Sequence, residues 1–459
     1  MTALRVPPGP SSLEAMRGMR SMGGGTDLRE IPIFLAGVAA RYGGIAHWTF
    51  FGRHFYFLDD PVLIEEAFVL QAGHYRKGRG IERLKRLLGN GLLSSEEPLH
   101  LRQRRMMQPA FHKERIAGYG SQMVAATSEQ IAAWRSGSVL ELDAEMTRLT
   151  LTIAAATLFT SDVAGQTETI RAALTAALRA FPASLSTFSE LFDALPVLPV
   201  TRRFNRARAE LDRVIYGLIA ARRAGPAAGQ DDLLGMLLAA RDGDAAMDDV
   251  QIRDEAMTLF LAGHETTANA LSWTWYLLAR NPPAARRLGE ELDAVLGGRL
   301  PEAADLPRLR YTRDVFAEAL RLYPPAWVLG RRALRDTSIG EYTVPRGSVV
   351  LASQLVTQRN PRYWEEPERF EPGRWSGPAP PRFAYFPFGG GVRRCIGESF
   401  AWMEGVLLIA VIAQRLRFEA LDPAEIGIEP LVTLRPRSAI RLRASTRETA
   451  SGAVSGTPH

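Results

Sequence analysis

The stretch from Asp249 to Arg280 contains no proline and closes at Asn281-Pro282-Pro283. As a helix rising 1.5 Å per residue it spans about 48 Å, long enough to cross a large domain. Alternating polar and apolar helical patterns also cover Thr167–Phe192, Arg202–Arg222 and Asp232–Arg241, the first interrupted at Pro182. Pro61 starts another helix with Leu63, Ile64, Ala67 and Phe68 on one face. Strand signals are fewer. Ile45–Phe51 and His54–Leu58, joined at Gly52-Arg53, read as a hairpin, and short strands are expected at Ser348–Leu355 and Ala439–Leu442. The segment Tyr75–Ser95 reads as a glycine-rich loop, Leu195–Val200 as a double-proline loop and Ala224–Gly229 as a connector. The expected class is mainly α with minor β.

No linker divides the 459 residues, so residues 26–443 are expected to form one domain, with a flexible segment 1–25 and a disordered tail 444–459. A composition 46% hydrophobic and 23% charged is that of a globular protein. The apolar runs Ile31–Ala40 and Val406–Ala413 fall far short of the roughly 20 residues that span a bilayer. The net charge of +6 reads as a solvated arginine-rich surface, or as a docking face for an acidic partner around Arg102, Arg104, Arg105, Lys113 and Arg115. Nucleic acid is a poor third choice, because these charges lack interleaved aromatics and a recognition motif.

Cys395 is the only cysteine, which excludes an intramolecular disulfide and fits a reducing compartment. A lone thiol is ordinarily a small buried hydrophobe. Here it sits in Phe388-Gly-Gly-Gly391-Val-Arg393-Arg-Cys395-Ile-Gly397. Glycines allow close approach of backbone to a ligand, and amides of a tight loop can stabilise a thiolate. A single thiolate without a second cysteine suits the axial position of a haem iron.

Residues 388–397 match the haem-binding signature F-x-x-G-x-R-x-C-x-G, and on it the chain resembles the cytochrome P450 superfamily. The resemblance covers roughly residues 25–443. It implies the family's fold, a large helical domain and a small β-rich part with haem b between them. It makes Cys395 the iron ligand, Arg393 a propionate partner and Phe388 the ring beside the thiolate, with Gly397 closing the signature.

Three further constellations carry the same resemblance. Ala262-Gly263-His264-Glu265-Thr266-Thr267 lies inside the long helix, where glycine costs up to about 1 kcal/mol. It matches the family's A/G-G-x-D/E-T-T/S pattern, in which a kinked helix opens a groove over the iron. Thr266 would then hydrogen-bond dioxygen at the iron and Glu265 would relay protons, while His264 reads as structural. Glu318 and Arg321 share a helix face at i and i+3. They match the family's E-x-x-R pair, and Arg369 in Pro367-Glu-Arg-Phe370 would complete a Glu–Arg–Arg network positioning the cysteine loop. His100 and Arg104 resemble the propionate-binding H-x-x-x-R of bacterial members. Arg331, five residues before Asp336, would be a further propionate partner, although adjacent Arg332 could replace it.

The implied activity is monooxygenation, one oxygen atom of O2 entering a hydrophobic small molecule. Electrons would come from a separate ferredoxin or flavodoxin and its NAD(P)H-dependent reductase, since the haem domain accounts for nearly all the chain. By analogy Leu88, Ala262, Gly263, Val328 and Val432 line the substrate chamber, with the loops Ile81–Leu93 and Pro182–Pro199. The whole chain looks most like pentalenene-oxidising and related terpene-oxidising bacterial types, so a terpenoid is expected, then a fatty acid. A peroxide-driven peroxygenase and a non-catalytic haem sensor or carrier are the rivals. The intact Glu265-Thr266 pair argues against both. The soluble bacterial members imply a cytoplasmic monomer without a membrane span.

Overall fold

A computed structural model describes residues 5–19, 28–159, 167–185, 199–224, 232–242 and 245–447. The proline-free run is one helix, Asp249–Arg280. Asp248 caps it by accepting from the Gln251 amide at 2.7 Å, which satisfies a donor that the first turn leaves open. It ends where Asn281 leaves helical geometry ahead of Pro282 and Pro283, whose rings favour the start of the next helix, Pro282–Leu296.

Two apolar cores meet on this helix. Its C-terminal half, from Ala268 to Leu278, packs with Leu142, Met146 and Leu149 of helix Leu142–Phe159, with Phe316 of Arg310–Leu322, and with Val406–Ala413 of Glu398–Arg415. Its N-terminal half, from Ile252 to Leu261, packs against Leu84, Leu87 and Leu88 and against Leu211, Val214 and Ile215. Burying a side chain of this size stabilises the fold by about 1.5–3 kcal/mol.

The strands form small sheets. The largest has five strands, ordered Ile45–Phe50, Arg53–Leu58, Val349–Ala352, Leu329–Ala333 and Tyr75–Lys77. The first two are an antiparallel hairpin pairing Trp48 with Phe55, and Val349–Ala352 joins it in parallel. Its last pair sets Lys77 opposite Arg331. Among the described residues no helix is long and apolar enough to cross a membrane.

Several expectations need correction. Ser12–Gly18, placed in a flexible segment, is a helix with a capping box on Ser11 and Glu14, and its Ala15 is fully buried. The last described strand runs Arg441–Thr446, past the expected boundary at 443, because it pairs with Leu416–Ala420. The segment read as a glycine-rich loop contains the helix Arg79–Leu88, whose Leu84, Leu87 and Leu88 recur at helical spacing and are buried. Helix Thr167–Leu185 runs through Pro182. Leu195–Leu198, most of Ala224–Gly229 and the tail from 448 lie outside the described residues.

Candidate active site

The cysteine loop is built by its glycines. Gly389 and Gly391 have φ of +69° and +64°, a region that side chains rarely adopt, and a Cβ on Gly390 would lie 2.4 Å from the Phe383 ring. The Cys395 amide donates to the Phe388 carbonyl at 3.0 Å and closes the turn. The Phe388 ring lies 5.9 Å from that of Trp402. Cys395 keeps an exposed face at this loop although protein surrounds it. That burial pushes its thiol up to about 11, while the Gly397 amide, Arg104 and Arg394 pull the other way. Those donors favour a thiolate once a cation is present.

The long helix carries the acid and the alcohol. From Ile252 to Leu278 its residues are buried except Ala262, Gly263 and Thr266, which share one face. A Cβ added to Gly263 would meet nothing within 4 Å. The helix remains α-helical through this point, so the opening comes from the small side chains of Ala262 and Gly263. The Thr266 hydroxyl donates to the Ala262 carbonyl at 2.7 Å, and that of Thr267 to Gly263 at 3.3 Å. Ile396, next to the cysteine, packs against the cluster that holds Leu259, Phe260 and Leu261. The residue after the cysteine and the N-terminal half of the long helix therefore belong to one apolar cluster. His264 is buried and hydrogen-bonds the Phe260 carbonyl at 2.7 Å, as a structural residue should.

Glu265 is buried beside Thr266, and its contacts come from far along the chain. Its Oε1 accepts from the Thr433 hydroxyl at 2.5 Å and from Arg435 Nε and Nη2 at 2.9 and 2.7 Å. Its Oε2 is buried with no hydrogen-bond partner among the described residues. Val432, on the same short hairpin, is partly exposed, as is Val328. Leu88 departs from expectation. It is fully buried within the core and has no surface toward an opening, because the helix Arg79–Leu88 turns it inward.

A basic rim lies at the side of the loop. Arg393 donates to the Ser95 carbonyl at 3.0 Å and to Glu96 at 2.9 Å. Lys77 donates to the same carbonyl at 2.6 Å and to that of Leu92 at 3.0 Å. Burial, with Arg393 next, lowers Lys77 to about 7, Arg331 to about 10 and His100 to about 4. His100 is thus neutral at pH 7 and offers a hydrogen bond, not a charge; its Nδ1 lies 3.0 Å from Glu97. Arg104 donates to the Arg394 carbonyl at 2.7 Å and braces the loop directly. Arg331 is the strand residue that joins this cluster, while Arg332 turns the other way toward Glu82. Like charges crowded in a half-buried rim fit a ligand with anionic groups. Lys77 escaped sequence reasoning, since an isolated lysine on a short strand carries no motif.

The buttress behind the loop is also present, with one residue changed. Glu318 and Arg321 are fully buried and pair through two bonds of 2.8 and 3.0 Å. Arg369 does not complete the network. Its side chain is 58% exposed and pairs with Glu366 and Glu371, and only its carbonyl accepts from Arg321. Arg374 takes the place, its Nε donating to Glu318 at 2.9 Å, and the Trp375 indole adds a bond of 3.0 Å. The signal was present, because Pro-x-Arg-aromatic occurs twice, at Pro367–Phe370 and at Pro372–Trp375. Arg321 also donates to the carbonyl of Gln358, whose side-chain oxygen accepts from the Phe386 amide at 2.9 Å. This chain of bonds joins the buttress to the cysteine loop.

Two further carboxyls are buried nearby, and burial pushes both up to about 8. Glu404 has the Thr267 hydroxyl beside it, and Glu255 accepts from the Leu92 amide at 2.8 Å. The folded state keeps these protons, whereas the unfolded chain releases them near the ordinary value of 4.5. Stability from these groups therefore falls as pH rises from about 4.5 to about 8, by up to about 1.4 kcal/mol per unit for each group. Glu404→Gln is expected to flatten the pH dependence of thermal melting and to melt above the unsubstituted protein at pH 8. Parallel melting curves from pH 5 to 8 would contradict a buried neutral acid.

A family model described as Cytochrome P450 matches residues 21–440. Cyclooctatin synthase of Streptomyces melanosporofaciens is 38% identical over 407 residues, 87% of this chain and 88% of that protein. Cyclooctat-9-en-7-ol 5-monooxygenase of the same organism is 35% identical, covering 84% of each chain. Pentalenene oxygenase of Streptomyces avermitilis is 32% identical over 84% of this chain and 87% of its own. A family model covering residues 21–440 and this similarity along most of its length make the chain, with its glycine-built cysteine loop, a member of the cytochrome P450 family, a monooxygenase whose cofactor is haem b.

Proposed function

We propose that the chain inserts oxygen into a terpenoid, with electrons from a separate ferredoxin or flavodoxin and its NAD(P)H-dependent reductase. The observation that carries this reading is the opening at Ala262, Gly263 and Thr266 in an otherwise buried helix run, in a chain whose exposed Cys395 stands in a glycine-built loop. Val328, Leu329 and Val432, all partly exposed, are the apolar residues that would line the chamber. Such walls select by shape, and the relatives named for cyclooctatin, cyclooctat-9-en-7-ol and pentalenene support a terpenoid.

Haem b fits the residues present. Cys395 would hold its iron, and Arg331, Arg393 and Lys77, with His100 and Arg104 beside them, would hold its propionates. When bound, it supplies the oxygen-activating chemistry that no side chain provides. The chain's own part is positioning and proton supply. Thr266 Oγ, at the opening, can exchange its bond to the Ala262 carbonyl for one to a ligand, and Glu265 is the neighbouring acid that replaces its proton. The exposed Arg105, Lys113 and Arg115 offer an acidic electron carrier a basic face.

The test is a spectral titration with a panel of terpenes and fatty acids, then turnover of the binders. A terpene is expected to shift the Soret band and to give product with a surrogate ferredoxin system, but not with peroxide alone. Thr266→Ala is expected to keep that shift and NADPH consumption while product falls and hydrogen peroxide rises. Fatty acids as the sole binders would overturn the substrate class, and peroxide-driven turnover would overturn the redox partner.

A further inference from the structure

We propose that Thr433 and Arg435 are positioning residues for Glu265, and that the hairpin carrying them fixes where this acid delivers its proton. The proposal rests on the reading of Glu265 as proton relay and adds residues that lie far along the chain from it.

Three geometric facts support it. All the donors converge on one oxygen: Oε1 receives Thr433 and both nitrogens of Arg435, while Oε2 is buried and, among the described residues, bonded to nothing. A carboxylate held this way cannot rotate freely, so Oε2 is the oxygen that no donor among the described residues occupies. The clamp is itself anchored. Asn269, one helical turn beyond Glu265, donates to the Thr433 hydroxyl at 3.1 Å, so helix and hairpin are tied at two points. The Trp273 indole donates to the Leu434 carbonyl at 3.3 Å and the Trp327 indole to that of Leu431 at 3.1 Å, which pins the segment between strands Ile428–Pro430 and Leu434–Pro436.

Arg435 is 24% exposed on its side chain and Glu265 7%, so the pair bridges interior and solvent. A charge pair in that setting is screened less than one on the open surface, and removing one partner leaves the other without compensation. Val432 stands between the two anchors on the chain, next to Thr433, and packs against the cluster containing Phe260 and Leu261. Whatever presses on Val432 therefore presses on the clamp.

The experiment is a double-mutant cycle on the haem-loaded protein with Arg435→Ala, Arg435→Lys, Glu265→Gln and the Ala/Gln double variant. It reads thermal melting and the ratio of product to NADPH oxidised. Arg435→Ala is expected to lower that ratio about tenfold, within the roughly hundredfold that an ångström of misplacement costs. Arg435→Lys should recover part of it, and Arg435→Ala should add nothing once Glu265 is Gln. In melting, the double variant should be less destabilised than the sum of the singles. Additive melting losses, or an unchanged ratio in Arg435→Ala where Glu265→Gln lowers it, would overturn the proposal. If melting is non-additive but Glu265→Gln keeps the normal ratio, the clamp stands and the relay reading of Glu265 falls. If Arg435→Ala lowers the ratio equally with Gln at 265, Arg435 acts elsewhere and the proposal falls.

Discussion

Glu318→Ala is expected to yield little folded, haem-loaded protein. The glutamate is fully buried and accepts from Arg321, Arg374, the Trp375 indole and the Glu371 amide. Removing it leaves buried guanidinium groups without their anion, at about 3–5 kcal/mol. A domain is stable by only about 5–15 kcal/mol, so one such loss consumes much of the margin. Arg374→Ala should fail in the same direction, because its Nε bond holds Glu318 from the far side. Arg369→Ala is the control that separates the two candidate arginines. Its side chain faces solvent, so melting and haem content should remain those of the unsubstituted protein. Haem content by absorbance and melting of the three variants decide the matter. Loss in Arg369→Ala with normal Arg374→Ala would reverse the assignment.

Cys395→Ser should abolish the strongly red-shifted Soret band of the reduced carbon monoxide complex and all monooxygenation. The chain holds no second cysteine that could take over as ligand, and hydroxyl oxygen is a far weaker electron donor to iron. The rim at Lys77, Arg331 and Arg393 is untouched by the substitution, so some haem should still bind. Measuring haem content beside the spectrum keeps loss of ligand distinct from loss of cofactor. A variant that retains the red-shifted band would remove Cys395 from the site.

Where the sequence was readable, the information was local. The long helix follows from its lack of proline and its Asn-Pro-Pro stop, the cysteine turn from glycines at fixed offsets, and Glu318–Arg321 from helical spacing. Leu84, Leu87 and Leu88 also carried a helical period, but surrounding glycines masked it, and Leu88 is fully buried in the core.

What sequence alone determined is local: a single cysteine in a tight glycine loop, an acid and an alcohol in one helical turn, and a mainly helical chain. Each depends on residues within a few positions of one another, where backbone geometry fixes the spacing. Only the tertiary structure chose between equivalents. Arg369 and Arg374 stand in the same local pattern, and the short helix Pro372–Ser376 turns the second inward. Arg331 and Arg332 are neighbours on a strand, and its pleat sends one to the rim and the other to Glu82. Lys77 meets Arg331 through strand register, and Arg435 meets Glu265 through the packing of a hairpin on a helix 170 residues earlier. Such contacts are set by how distant elements dock, which no local pattern encodes.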